Sequence, residues 1–159
     1  MRLRANEAKK GDIRFTGDDI SLAATMLDKI STTMEIIYYL MDRGEERSFV
    51  AILLSAQNID LDKLIQEEKR NTDILFEVDK ESSIYTIICQ DTRVDGGYRF
   101  AERIMKRMLS EDAKDIYITQ LEVRTTRYDI KYIIFKLLEI FIKMKIDGKE
   151  KEIVYNSLQ

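Results

Sequence analysis

The chain has 159 residues, is 45% hydrophobic and 35% charged, and carries a formal net charge of −3, which describes one globular domain and excludes a strongly basic nucleic-acid binder. The absence of histidine and the single cysteine, Cys89, exclude Ser/His and Cys/His nucleophile pairs, the usual zinc sites and an internal disulfide framework. No apolar run reaches the length needed to cross a bilayer and the charged start lacks the apolar stretch of a signal peptide, so the expected location is a reducing cytoplasm.

Residues 1–17 are polar, with Gly11 and Gly17, and read as a flexible arm or the edge of a boundary with something upstream. From Asp18 to Arg43 the pattern is helical, with Asp18 or Asp19 as the expected cap. Ile20, Ala23, Leu27, Ile30, Met34, Ile37 and Met41 alternate in steps of three and four, a heptad-like stripe. The stripe either packs on the chain's own sheet or makes a homodimer through residues 20–41. The segment 18–45 is therefore set apart from the domain proper, 46–159.

"SFVAILLS" (48–55) is a short apolar run and predicts a buried strand. "IDLDKLIQEEKRN" (59–71) predicts a short helix capped by Asp60, which is the simpler reading of that residue than a metal pair with Asp62. "DILFEV" (73–78) and "SIYTIICQ" (83–90) form two strands of a hairpin across the charged turn "DKES". Asp95 is expected to cap a helix running to about Leu109, with Phe100, Ala101, Ile104 and Met108 inward. "DIYITQLEVR" (115–124) is a strand, residues 128–145 a long helix, and 146–156 a turn at Gly148 and an edge strand. Cys89 reads as a small core residue. The order is a helix followed by β-α-β-β-α-β-α-β. That is an α+β chain with an antiparallel-centred, ferredoxin-like sheet flanked by helices over one core, preceded by a lead-in helix.

Two residues need a separate account. Arg70 and Asp73 stand three apart where the short helix gives way to a strand. On the pattern alone they are a charged helix end beside a turn, and Arg103 is a surface residue able to pair with Glu102 or Asp95.

Four stretches, in order and spacing, carry a family resemblance. "RNTD" (70–73) is similar to an R-x-x-D motif placed before a hairpin. "IYTIICQDT" (84–92) is similar to the strand that closes that hairpin, "FAERIMKRM" (100–108) to a helix written "AERIR", and "IKMKIDGKEKEIV" (142–154) to a closing stretch with Lys145 and Gly148 in register. The family they resemble is the GGDEF domain of diguanylate cyclases, over roughly residues 48–156. The departures fall on the catalytic parts. Where the signature should stand, Glu81, Ser82, Ser83 and Ile84 precede Tyr85, in a hairpin about two residues longer than usual. The family's aspartate after the first strand and the segment that follows it are missing, and a later S-x-G stretch reads Thr119, Gln120, Leu121. In cyclases two metal ions bridge the triphosphate during 3′-oxygen attack. The resemblance therefore implies a degenerate domain with no metal, no cofactor and no catalytic residues.

What the resemblance leaves is the site that binds the product, cyclic di-GMP. By register its residues here are Arg70, Asp73 and Arg103, with Arg99 and Arg107, four positions to either side of Arg103, as helpers on about the same helical face. A guanidinium donates twice to guanine O6 and N7, and a carboxylate accepts from the N1–H and N2–H edge. The expected function is that of a catalytically inactive cyclic di-GMP receptor, similar in logic to the GGDEF-like part of Pel exopolysaccharide regulators, where the R-x-x-D motif is kept without the signature. The alternative is a scaffold or dimerisation module in a signalling complex that binds no nucleotide. Neither reading involves nucleic acid or a membrane span.

Overall fold

The computed structural model describes residues 14–159; the arm expected at 1–17 lies largely outside them. A long helix α1 (Gly17–Asp42) leads into β1 (Phe49–Gln57), α2 (Leu61–Glu68), β2 (Asp73–Asp79), β3 (Ile84–Gln90), α3 (Val94–Ser110), β4 (Lys114–Val123), α4 (Ile130–Ile146) and β5 (Ile153–Leu158). The five strands form one mixed sheet in the order β2-β3-β1-β4-β5. The first four pair antiparallel, and β5 adds parallel to β4 at the edge. This is the expected order of elements. Among the described residues no helix is long and apolar enough to cross a membrane.

Side-chain alternation explains why β1 is apolar throughout. Phe49, Ala51 and Leu53 point to one face, against α1 and α4. Val50, Ile52, Leu54 and Ala56 point to the other, against α2 and α3. Successive strand residues face opposite ways, so a sheet covered on both sides needs apolar residues at every position. The expectation of one core is corrected accordingly: there are two, separated by the sheet.

The heptad-like stripe of α1 faces inward. Ala23, Ile30, Met34 and Ile37 are buried, with Met26, in the chain's own first core. Leu27 and Met41 only pack against its margin, and Ile20 is 57% exposed. A homodimer through residues 20–41 would use the outward side chains Ile20, Ile36 and Tyr39 instead. The helix is capped by Thr16, whose hydroxyl accepts from Asp19 N–H while the Asp19 carboxylate accepts from Thr16 N–H. Neither aspartate is the cap; Asp19 completes a capping box from the third position. Asp60 does cap α2, accepting from Lys63 N–H.

Helix α3 also starts differently from expectation. Its N-cap is Arg93, and Asp95 lies in the first turn. A residue from another strand serves the free amide instead: the Glu122 carboxylate of β4 accepts from Val94 N–H at 2.8 Å. Glu122 is only 2% exposed and also accepts from the Ser157 hydroxyl of β5. Its neighbour Gln120, fully buried, donates to Val94 C=O at 2.9 Å. Two inward-facing polar side chains of β4 thus fix where α3 begins.

Candidate functional site

The spacing of Arg70 and Asp73 is that of a turn. Asp73 N–H donates to Arg70 C=O at 3.1 Å, which brings the two side chains onto one side of the chain as it leaves α2 and enters β2. Asp73 is the first residue of β2 and stands opposite Cys89 of β3. Its carboxylate is 1% exposed and takes three donors from Arg70. The backbone N–H reaches Oδ2 at 2.8 Å, Nη2 reaches Oδ1 at 2.8 Å, and Nε lies 3.2 Å from Oδ1. The Arg70 Nη2 group also donates to Thr92 Oγ1 at 2.8 Å and to Gln90 C=O at 3.2 Å. The hydrogen bond to Asp73 raises the Arg70 pKa further, against a smaller opposing effect of burial. The result is a guanidinium held on one edge by fixed acceptors, with its side chain still 53% exposed.

Opposite it stands α3. Arg99, Phe100 and Arg103 of that helix, with Gly96, line one cleft of about 210 Å³ together with Arg70, Asp73, Cys89 and Thr92. The Arg103 guanidinium lies over the Phe100 ring, 5.3 Å from its centroid, with Glu68 of α2 at 3.6 Å. Arg99 pairs with Asp95 one turn back at 3.3 Å, both side chains at least 70% exposed. Exposed ion pairs of this kind hold a side chain only weakly, so Arg99 is available to an anion, while Arg103 is half exposed beside the more covered Glu68. Cys89 lies beside the Asp73 carboxylate, and burial, then that carboxylate, push its thiol pKa far up. It is a neutral wall residue.

No family model and no curated protein matches the chain. Solved structures do, and they agree with one another. The diguanylate cyclase SiaD of Pseudomonas aeruginosa, solved with its activator SiaC, superposes with a TM-score of 0.56 at 9% identity, over 79% of this chain. This chain spans 57% of that one. The GGDEF domain of DgcB from Caulobacter crescentus, in complex with cyclic di-GMP, gives 0.56 at 6% identity over 76% of this chain and 84% of that one. A microbial GGDEF domain described in a novel interaction mode with cyclic di-GMP gives 0.57 at 11% identity over 77% and 86%.

The chain has a GGDEF-type fold.

In this GGDEF-like chain the hairpin between β2 and β3 turns through Lys80, Glu81, Ser82 and Ser83, with Ser83 at φ +55°. A serine there keeps a Cβ in the left-handed region that glycine occupies without strain. Ser55, which is buried, and Gln57 stand at the end of β1 and Asn58 follows it, and Gln57 donates to Ser82 C=O at 2.9 Å. Among the described residues no group of three or more His, Cys, Asp or Glu side chains is placed to hold a metal ion. Lys145 is drawn over the Phe141 and Tyr117 rings, at 4.7 and 5.6 Å. Lys145 is an exposed residue near the end of α4, and the desolvation of its ammonium against these rings lowers its pKa.

Two of the expected site residues stand differently from Arg70, Arg99 and Arg103. Arg107 does not line the cleft: Glu67 at 2.9 Å, and Glu68 and Glu111 at 3.3 Å, hold it at the far end of the α2–α3 contact. Helical spacing puts it near Arg103, but carboxylates from a second helix claim it. The Asp73 carboxylate lines the cleft but is 1% exposed and takes three Arg70 donors, an arrangement that positions Arg70. Sequence reasoning missed Thr92, which accepts from Arg70 and donates to Gln90 C=O, and Phe100 as the apolar floor under Arg103. An arginine with several donors next to a "QDT" loop is the only available hint.

Proposed function

We propose that this domain is a cyclic di-GMP receptor without cyclase activity. Arg70, Arg99 and Arg103 bind the dinucleotide, and Asp73 and Thr92 act as positioning residues. The observation that carries the reading is the convergence of these arginines, from a turn and a separate helix, on one cleft with an aromatic floor. A guanidinium anchored through Nε and Nη2 leaves its Nη1 N–H groups free in a fixed plane, placed to donate to a guanine acceptor, O6 or N7. Two further guanidinium groups match the two phosphates of the ligand. Serines at the hairpin turn, and amide and hydroxyl groups at the end of β1, support the absence of metal-dependent chemistry on GTP.

Titration calorimetry with cyclic di-GMP on the intact chain tests this. Micromolar affinity, lost in Arg70→Ala and in Arg103→Ala, is the expected result. An unchanged baseline at high ligand concentration, or release of pyrophosphate from GTP, overturns it. The first of those outcomes would leave the domain as a protein-binding scaffold.

A further inference from the structure

The cleft beside Arg70 is too small for the whole ligand. At about 210 Å³ it falls below the roughly 300–1,000 Å³ of sites that engulf a drug-sized molecule. One base fits; the other half of a cyclic dinucleotide has to lie elsewhere. A second cavity, of about 500 Å³, opens on the other flank of the first turns of α3, and Arg99 lines both. Its floor is aromatic. Tyr98 of α3 and Tyr155 of β5 meet edge to face, with centroids 5.6 Å apart and planes at 78°. Tyr155 is 57% exposed, on the strand that ends the sheet order among the described residues. Arg99 and Asp95, paired at 3.3 Å, form the rim.

We infer that Tyr98 and Tyr155, with Arg99 at their edge, seat the second base of a cyclic purine dinucleotide whose first base occupies the Arg70 cleft. The inference rests on the function proposed above and adds a rule of specificity to it. The Arg70 cleft reads guanine by hydrogen bonding. The tyrosine platform offers a π-face, and every base has one, so stacking there is tolerant of sequence. The Arg99 guanidinium, between the two seats, is placed for a phosphate of the ring that joins them. The ligand class is therefore cyclic dinucleotides with one guanine and any second purine.

The test uses a cyclic dinucleotide carrying one guanine and one 2-aminopurine, whose emission dims when it stacks. The chain has no tryptophan, so the signal is read without interference. Expected are quenching on binding, an affinity within about threefold of that for cyclic di-GMP, and loss of both quenching and about tenfold in affinity when Tyr98→Leu and Tyr155→Leu are combined. Phenylalanine at both positions keeps the ring and restores both readouts. Binding by the unmodified protein without quenching, or leucine variants that bind as it does, overturns the platform and leaves the receptor reading standing. Failure of the unmodified protein to bind cyclic di-GMP itself overturns the receptor reading and the platform together.

Discussion

Arg70 and Thr92 meet across the end of the β2–β3 hairpin, Nη2 to Oγ1 at 2.8 Å. Thr92 is itself fixed, its hydroxyl donating to Gln90 C=O and its carbonyl accepting from the buried Ser48 hydroxyl, each at 2.8 Å. The loop between β3 and α3 therefore aims Arg70. Thr92→Val removes the acceptor and keeps the shape. It should weaken cyclic di-GMP binding by about fivefold, the worth of one hydrogen bond, where Arg70→Ala and Arg103→Ala weaken it tenfold or more. Arg107→Ala, outside the cleft, should bind as the unmodified chain does. Calorimetry on the four variants gives the ranking.

Asp73→Asn should act first on stability. The asparagine has one acceptor oxygen where the carboxylate serves three Arg70 donors, and its NH2 group then faces donors at close range. A loss of about 2 kcal/mol in urea unfolding is expected. Binding should fall along with it, because the Arg70 fork loses its anchor. A variant as stable as the parent would mean that the turn does not depend on the carboxylate.

How much of this could be read in advance follows from how local each feature is. The strand and helix order was legible because the apolar periodicity of "FVAILLSA" and of residues 130–144 is strong and each segment is long enough to show its period. The Arg70–Asp73 pair was legible because the turn that joins them is three residues long. The fate of Arg107 was not, because Glu67 and Glu68 stand about forty positions earlier and only the packing of α2 on α3 brings them near. The start of α3 was misread for a similar reason. Asp95 has the right side chain for a cap, but Glu122 supplies the acceptor from a strand. The enclosure of Asp73 was not legible either, because its burial depends on β3 lying beside it.

Gly97→Ala should disturb both the fold and the site. A Cβ at this position would come within 2.8 Å of Gln120 Oε1 and 2.9 Å of Val50 Cγ1. Neither neighbour can yield freely, since both are fully buried. Helix α3 has to lift from the sheet, at a cost of about 1–3 kcal/mol, and Arg99 and Arg103 move with it. A lower melting temperature together with weaker cyclic di-GMP binding is the expected pair of results, read by scanning calorimetry and titration.

Glu46 sets a pH dependence. Burial, and then the nearby Asp91 charge, raise its pKa above the ordinary glutamate value, and its Oε2 atom is buried with no hydrogen-bond partner among the described residues. A raised folded-state pKa favours the neutral acid. The benefit is complete below the unfolded pKa, near 4.5, and is lost as pH rises through the folded value. Glu46→Gln should therefore raise the melting temperature by roughly 1–2 °C at pH 7 and leave it unchanged at pH 4. Equal effects at both pH values would show that the charge is not the cause.

The covering of the sheet on both sides has a consequence for how the chain finds its alignment. In most sheets a slip of one residue between strands turns a greasy face to water and is rejected at once. Here β1 is apolar at even and odd positions alike, so hydrophobicity alone does not reject the misaligned pairing. What does is β4, where a one-step shift would turn Gln120 and Glu122 away from the start of α3 and into the layer held by α1 and α4, stranding a carboxylate in oil. The polar pair that anchors one helix thus also keeps the strands in frame.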